Sequence, residues 1–328
     1  MFKISTIRRF NAGARSLVRA VTGLSLALMM AGSASAQSNV TRIIVPLPPG
    51  GVTDGMARLF AARMSNDKEQ FIVENRPGGN QIIAVQALLS APADGRTLFF
   101  SSPSGVSTNV ALMKALPYDP LKDLTPVARI FQTPTLLVTS GKSPHRTVAD
   151  VVAASKKRQL NVATAAPGQT IQYEFLRKEL GIQSMVVLYK GSAPALQDVI
   201  SEVVDLHLTD PHAAYSLIQA GTLRALAILN DVRDPNLPDV PTVAEVGATV
   251  PPIYQWTGVF LKAGTPQAVV REHHARVARF VKDPAVIDYT KSRGVFAFWG
   301  DAEALREQQR SDIKAVAEMM KNLGMDPQ

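Results

Sequence analysis

The sequence predicts an α/β protein of two lobes, each built around a mostly parallel sheet, with a cleft between them. Two observations predict this fold. Short apolar strands alternate with amphipathic helices along most of the chain, which is the pattern of βαβ units. After a predicted N-terminal leader, residues 37–328 exceed the length at which a chain usually divides into two domains.

The first 36 residues have the features of a secretory signal peptide. A basic start without acidic residues precedes an apolar run from Ala20 to Gly32, and Ser33-Ala34-Ser35-Ala36 has the small-x-small pattern that signal peptidase cleaves. A signal anchor is the alternative, but the run is shorter than the ~20 residues that span a bilayer. We therefore expect cleavage after Ala36 and export to the periplasm. The basic residues are Lys3, Arg8, Arg9, Arg15 and Arg19.

The order of strands and helices divides the chain into two lobes. The predicted strands are 41–45, 71–74, 97–100, 136–139, 160–164, 185–189, 204–208, 223–229 and 257–261. Helices are predicted to begin at Thr53, Ile82, Val148, Thr170 and Ser192, and residues 266–323 are expected to be largely helical with a break near residues 294–300. The predicted division assigns residues 37–138 and 257–328 to lobe I and residues 139–256 to lobe II.

Composition excludes several functional classes. The net charge is +8, but five of these positive charges belong to the leader. The remaining surplus of +3 does not indicate nucleic-acid binding. The absence of cysteine excludes disulfides, a lipid anchor and thiolate metal sites. His207 and His212 are poorly spaced for a shared metal, so packed or surface histidines are expected. No cofactor or metal is predicted.

The stretch from Pro46 to Asp54, PLPPGGVTD, joins a predicted strand to a predicted helix. Gly50 and Gly51 allow a ligand to approach bare backbone, and Thr53 or Asp54 is expected to cap the helix. Unpaired N–H groups and the helix dipole make such a helix start an anion site. A plain tight turn with a good cap is the alternative. The candidate ligand-binding residues here are Pro48, Gly50, Gly51, Thr53 and Asp54.

Three further loops combine glycine with hydroxyl or amide donors at a predicted helix start. They are residues 101–105 in the first lobe and residues 165–170 and 189–192 in the second, where Ser192 is the expected N-cap. Donors facing one another from two lobes suit an oxygen-rich anion. Lys190 is the charged residue in these loops. It either contacts the ligand directly or is a solvated side chain beside a turn. The candidates are Ser102, Ser104, Thr164, Gly168, Gln169, Thr170, Tyr189, Lys190, Gly191 and Asp210.

Seven motifs, taken in order, closely resemble the Bug family, the TctC-like receptors of tripartite tricarboxylate transporters. Each motif is weak alone, but seven in order are a strong signal, and the resemblance covers nearly all of residues 37–328. They are PLPPGGVTD from Pro46, VENRPG from Val73, ADGRTL from Ala93, LPYDP from Leu116, YKGSAPA from Tyr189, LRALA from Leu223 and LPDVPT from Leu237.

The resemblance implies a type II periplasmic-binding-protein fold and a carboxylated ligand such as a dicarboxylate, a tricarboxylate, an acidic amino acid or an aromatic acid. It implies that residues 48–54 hold one carboxylate through backbone groups and water, opposite residues 164–170 and 189–192. It also implies TctA-like and TctB-like permease subunits as partners, and we expect a monomer without a catalytic site or a nucleic-acid partner.

The sequence departs from the family pattern at three places. Gly79-Asn80-Gln81-Ile82 replaces a longer glycine run, residues 165–169 read AAPGQ where the family is richer in serine and glycine, and Thr209-Asp210 replaces Asp-Asn. Asp210 would repel a second carboxylate unless it contacts an amine or a hydroxyl group. The contacts to the far end of the ligand are therefore left open.

Two other functions remain alternatives at this point. A receptor for a membrane signalling partner would need the same export and the same cleft. An exported enzyme acting on a carboxylate is the second alternative, but no G-x-S-x-G elbow, P-loop or H-E-x-x-H motif is present. A Ser192–Lys190 pair is the remaining nucleophile candidate, without other support in the sequence.

Overall fold

The computed structural model describes residues 40–230, 232–251, 254–292, 295 and 299–327. The predicted leader and its cleavage site lie outside these residues. Two sheets organise the described chain, with strand orders β2-β1-β3-β10-β4 and β7-β6-β8-β5-β9. The strands are β1 (Val40–Val45), β2 (Gln70–Asn75), β3 (Thr97–Ser101), β4 (Leu124–Thr133), β5 (Thr135–Ser140), β6 (Leu160–Thr164), β7 (Ser184–Leu188), β8 (Leu206–Thr209), β9 (Leu223–Leu229) and β10 (Gln255–Lys262).

Helices alternate with these strands, which confirms the predicted α/β class. In the described ranges, every helix is too short or too polar to cross a bilayer. The helices are α1 (Val52–Met64), α2 (Ile82–Leu89), α3 (Asn109–Leu112), α4 (Val148–Ser155), α5 (Pro167–Leu180), α6 (Ser192–Ile200), α7 (Pro211–Gln219), α8 (Gln267–Phe280), α9 (Pro284–Lys291) and α10 (Ala302–Leu323). The predicted break near residues 294–300 falls between α9 and α10, partly outside the described residues.

The strand β4 is the element that the sequence did not predict. It carries Pro126, which lacks the N–H group that a sheet ladder needs. The strand forms the edge of the first sheet, where Pro126 lies opposite Phe260 on β10 and a missing donor is tolerated. The sequence also gave no helix at residues 211–219, where α7 begins with a proline at its first position.

The chain crosses between the sheets at Pro134. β4 ends at Thr133 in the first sheet, and β5 begins at Thr135 and pairs with β8 and β9 of the second sheet. The predicted boundary after residue 138 therefore falls inside β5. The chain returns to the first sheet at Gln255, two residues before the predicted return.

This crossing brings the carboxyl edges of the two sheets towards each other. β1 is parallel to β2 and β3, and β10 is antiparallel to both β3 and β4, so β4 ends at the same edge as β1 and β3. In the second sheet β6 is parallel to β7 and β8, and β5 is antiparallel to β8 with Leu136 opposite Thr209. One residue joins β4 to β5, so the loops that follow β1, β3, β6, β7 and β8 all lie at the two sheet edges between which the chain crosses, here called the facing edges.

Each sheet has its own hydrophobic core. In the first, the Phe60 ring on α1 makes edge-to-face contacts with Phe71, Phe100 and Phe280, with ring centroids 5.1–5.7 Å apart. In the second, Leu137, Leu206 and Leu208 are among the buried residues under α4 and α5. A smaller apolar cluster joins the two halves, where Ile171 of α5 packs with Val316, Met319 and Met320 of α10.

Candidate functional site

The loop between β1 and α1 leads into a helix whose first N–H groups are not capped by a side chain. Gly51 is the N-terminal capping residue, and no side chain bonds to the free N–H groups. The prediction that Thr53 or Asp54 caps this helix is wrong, because α1 begins before them at Val52. Gly55 donates the first helical hydrogen bond to the Gly51 carbonyl at 2.9 Å, so the N–H groups of residues 52–54 have no acceptor within the helix.

Hydrogen bonds to the Asp54 side chain fix the conformation of this loop. Its buried carboxylate accepts hydrogen bonds from the backbone N–H of Gly50 at 2.9 Å, from Nδ2 of Asn75 at 2.9 Å and from Nε of Arg58 at 3.0 Å. Burial opposes ionisation, but the bonds from Arg58, Gly50 and Asn75 outweigh it and lower the pKa of Asp54 below its usual value. Asp54 therefore stays charged and holds the chain before the helix in place.

The outer face of the same loop is open. Pro48 and Gly50 are exposed, and a Cβ atom placed on either Gly50 or Gly51 would have no neighbour within 4 Å. Gly50 has φ +99°, which an L side chain rarely adopts, whereas Gly51 has φ −77°. Thr53 is buried and its Oγ1 lies 2.8 Å from Oγ1 of Thr257 on β10, which anchors the first turn of α1 to the sheet.

The loop after β3 is held by hydrogen bonds from Gln81, a residue that the sequence analysis did not include in the site. The Gln81 side chain is buried, and its Nε2 donates to Oγ of Ser102 while its Oε1 accepts from the Gly105 N–H at 3.3 Å. Ser104, the other predicted serine, is partly exposed and begins a π-helical turn. Gln81 therefore connects the loop after β2 to the predicted loop after β3.

Gln81 makes these contacts from a left-handed backbone. Asn80 has φ +49° and Gln81 has φ +76°, immediately after Gly78 and Gly79, which also have positive φ. Nδ2 of Asn109 donates to the Asn80 carbonyl at 2.8 Å and holds the turn. The replacement of a glycine run at residues 79–82 was the signal in the sequence, but it did not reveal the contact with Ser102.

In the second sheet, α5 begins earlier than predicted. The sequence analysis placed its start at Thr170, but the helix begins at Pro167, a residue favoured in the first helical turn. Ala166 is the N-terminal capping residue without a side-chain bond, and Thr170 donates the first helical hydrogen bond to its carbonyl at 3.1 Å. The N–H groups of Gly168 and Gln169 therefore lack acceptors within the helix.

Side chains at this helix start bond to the end of β6. Oγ1 of Thr164 lies 2.8 Å from Oγ1 of Thr170, and Oε1 of Gln169 accepts the Ala165 N–H at 2.9 Å. The Oε1 atom of Gln169 is therefore used as an acceptor, and its Nε2 is the donor end of the amide. The Gln169 side chain is buried at this edge of the sheet.

Asp210 lies at the end of β8, where the polar end of the Gln169 side chain favours its charged form. Its Oδ1 is buried and has no hydrogen-bond partner among the described residues. Burial nevertheless raises the pKa of Asp210 to about 7. The structure thus brings two predicted residues together and leaves one buried carboxylate oxygen of Asp210 unpaired.

The loop after β7 has a third uncapped helix start. Gly191, with φ +112°, is the capping residue of α6, so the expected capping role of Ser192 is wrong. Oη of Tyr189 donates to Oδ2 of Asp198 at 2.5 Å, and this bond is the main cause that raises the pKa of Tyr189 to about 12. Lys190 is exposed. The Tyr189 hydroxyl therefore connects the loop to α6 by a hydrogen bond.

Two of the buried histidines, His207 and His273, bond to backbone carbonyls through their rings. Nδ1 of His207 lies 2.9 Å from the Ala163 carbonyl, and Nε2 of His273 lies 2.9 Å from the Gly95 carbonyl. Burial lowers the pKa of His207 to about 4. Within the described ranges, no group of three or more histidine or acidic side chains is arranged to hold a metal ion.

A cavity of about 570 Å³ lies along one face of α5 and the end of α10, away from most of the predicted loops. Its charged residues already have partners: Nε of Arg177 bonds to Glu174 at 2.5 Å, and Nζ of Lys178 bonds to the Asn322 carbonyl at 2.5 Å. The facing loop edges offer the larger set of unpaired N–H groups and are the better candidate site.

Comparison with known proteins points to one family. The family model described as "Tripartite tricarboxylate transporter family receptor" matches residues 56–325. Protein BugT of Bordetella pertussis is 31% identical over 289 residues, which cover 86% of this chain and 89% of that protein. These matches extend over both sheets.

Solved structures agree in fold over the same range. The Rpa4515 protein of R. palustris with adipate has a TM-score of 0.81 at 30% identity and covers 88% of this chain and 98% of its own. The periplasmic binding protein BugD has a TM-score of 0.77 at 27% identity and covers 88% of this chain and 99% of its own. The agreement confirms the predicted two-lobe periplasmic-binding-protein fold.

Proposed function

This chain belongs to the family of tripartite tricarboxylate transporter receptors, and from that premise we propose that it holds a small carboxylate between its two lobes in the periplasm. Each sheet with its packed helices forms one lobe in this proposal. The family is one of solute-binding receptors, and the proposed role is capture without turnover. The adipate of the Rpa4515 structure is an example of the ligand class.

The observation that carries this proposal is that helices at the facing edges, α1, α5 and α6 among them, begin without side-chain caps. α1, α5 and α6 each begin without a bond from a side chain to their first N–H groups. Such groups, together with the helix dipole, stabilise an anion by direct or water-mediated hydrogen bonds. A carboxylate between the lobes would therefore be held without an arginine clamp.

The proposal extends to export and partners. A leader cleaved after Ala36 would release residues 37–328 into the periplasm, where the related BugD is a periplasmic binding protein. TctA-like and TctB-like membrane subunits would receive the ligand from a monomeric receptor. These partners are proposed from the family name, and the facing edges of the sheets are proposed as the ligand site.

A thermal-shift screen of residues 37–328 with mono-, di- and tricarboxylates and aromatic acids tests the proposal. A ligand that binds the folded state raises the melting temperature with concentration. The matched variant is Gly51→Val, because φ −77° accepts a side chain and a Cβ atom there contacts no other atom. We expect it to fold normally and to bind about tenfold more weakly or worse, since the added side chain occupies the approach to α1.

The control is Ala62→Val, which adds bulk to an exposed position on the same helix, more than two turns from its start. It should bind as the unaltered protein does. The proposal is wrong if no organic acid shifts the melting temperature, or if Gly51→Val binds as tightly as Ala62→Val.

A further inference from the structure

The helix α10 packs on both halves of the molecule. Near its start, Leu305 is buried with Phe260 in the core of the first sheet. Near its end, one apolar face packs against Ile171 of α5, which belongs to the second sheet. The α10 residues of that face recur at helical spacing, and they are Val316, Met319, Met320 and Leu323.

Ile171 lies directly behind the proposed ligand contacts of the second sheet. It is buried and follows Gln169 by two residues on the same helix, whose first N–H groups have no side-chain cap. The apolar contact with α10 therefore supports α5 within its first two turns. The support comes from a helix that begins on the opposite sheet.

Two polar bonds hold α5 in the same position. Oγ1 of Thr135, the first residue of β5 after the crossing, donates to Oε1 of Gln172 at 2.9 Å, and both side chains are fully buried. Nζ of Lys178 donates to the Asn322 carbonyl at 2.5 Å, at the C-terminal end of α10, where the helix dipole favours a cation. The helix α5 is thus bonded to the crossing and to the end of α10.

The position of α5 matters because hydrogen bonds have a short range. An N–H···O bond forms at about 2.7–3.2 Å and weakens steeply outside good geometry. Gly168 and Gln169 are on the same helix as Ile171, so a change in the packing of Ile171 moves their N–H groups as well. A shift of about 1 Å is enough to impair a binding site.

We infer that the last turns of α10 position the start of α5, so that Met319 and Met320 contribute to ligand affinity without contacting the ligand. The inference rests on the proposed function, because it assumes that an acid group binds at the start of α5. Met319 and Met320 act through Ile171 and are positioning residues. Loss of their side chains leaves this side of α5 unsupported.

Isothermal titration calorimetry of residues 37–328 with adipate tests the inference, and the acid with the largest thermal shift replaces adipate if adipate does not bind. At least one of Met319→Ala and Met320→Ala should weaken binding about tenfold. Met319→Leu and Met320→Leu keep the apolar volume, so they should bind within about twofold of the unaltered protein.

Leu160→Ala is the matched control. Leu160 is fully buried and begins β6, at the edge of the second sheet away from the crossing. Its truncation should lower the urea midpoint about as much as the methionine truncations do and leave the affinity unchanged. In NMR spectra without acid, the weakened methionine variant should shift the amides of Gly168 and Gln169 and leave those of residues 52–54 in place.

Two results would overturn the inference and leave the proposed function intact. One is that both alanine variants bind the acid as tightly as the unaltered protein does. The other is that Leu160→Ala loses as much affinity as they do, because destabilisation alone would then account for the effect. If neither adipate nor any acid of the wider screen binds, the proposed function falls together with the inference.

Discussion

The Asp54 carboxylate accepts the backbone N–H of Gly50 at 2.9 Å, four residues earlier in the chain. The bond turns the loop back onto the start of α1 and engages the N–H of Gly50 itself. The N–H groups left for a ligand are therefore those of residues 52–54. Asp54 contributes to the proposed site by fixing the backbone, and its own charge is balanced by Arg58 at 3.0 Å.

Replacement of Asp54 by alanine should weaken both folding and ligand binding. The change leaves Asn75 and the Gly50 N–H without their acceptor, which should lower the free energy of unfolding by about 1–3 kcal/mol. Binding of the best acid from the screen should weaken by about tenfold, because the loop loses its fixed conformation. Urea denaturation and calorimetry measure the two effects.

Asp150→Ala separates the two effects. Asp150 accepts the N–H groups of Arg146 and Thr147 at 2.9 Å in the capping box of α4, on the second sheet. Its loss should lower stability without changing ligand affinity. Equal loss of affinity in the Asp54 and Asp150 variants would show that destabilisation alone accounts for the effect.

The backbone of Gln81 predicts an unusual order of stability for two variants. Alanine and glycine both remove the bonds to Ser102 and Gly105, but only glycine accepts φ +76° without strain. Gln81→Gly should therefore be more stable than Gln81→Ala by about 1 kcal/mol in urea denaturation.

Gln86, five residues later, is the control position, where the order of stability of the glycine and alanine variants should be reversed. It is exposed on α2, where the backbone is helical, so Gln86→Gly should be less stable than Gln86→Ala by about 1 kcal/mol. The same order of glycine and alanine at both positions would contradict the left-handed conformation of Gln81.

Asp312 should make stability depend on pH. Burial raises its pKa to about 6, despite the bonds from Gln308, Trp256 and Ser107 and the charge of Arg129. Between the ordinary value of 3.8 and about 6, the folded protein binds this proton more tightly than the unfolded chain, so the free energy of unfolding falls as pH rises. The full effect is at most about 3 kcal/mol.

The measurement is the difference between the unaltered protein and Asp312→Asn, obtained by urea denaturation at several pH values. His207, whose lowered pKa of about 4 acts in the opposite direction, is present in both proteins and cancels. We expect the unaltered protein to lose stability relative to the variant as pH rises from about 4 to about 7. A difference that is constant over this range would exclude a raised pKa at Asp312.

The sequence predicted elements better than it predicted their ends and their side-chain bonds. Periodicity identified α2, β6 and β9 with the bounds that the structure has. The strand β4 was not predicted because Pro126 opposes strand formation. The proline is tolerated there because β4 forms the edge of the sheet. The start of α5 was misplaced because a proline was taken as part of a loop.

The candidate site was predictable where local chemistry determines it. Glycine beside a helix start indicated the three uncapped ends, since conformational freedom and unpaired N–H groups are local properties. The bond of Gln81 to Ser102 and the proximity of Gln169 to Asp210 depend on tertiary structure, which brings different loops together. The predicted caps at Thr53, Asp54 and Ser192 failed because glycine, Gly51 in α1 and Gly191 in α6, occupies the capping position, so the polar residues lie inside the first helical turn.

Amide-proton NMR during titration of residues 37–328 with the best-binding acid tests the central claim most directly. We predict saturable shifts, with one dissociation constant, at the amides of residues 51–54 on the first sheet and of Gly168, Gln169 and Ser192 on the second. Gly221 and Gly264, which lie at the opposite edges of the sheets, should not respond. Shifts confined to one sheet, or centred on those two glycines, would contradict a carboxylate held between facing helix starts.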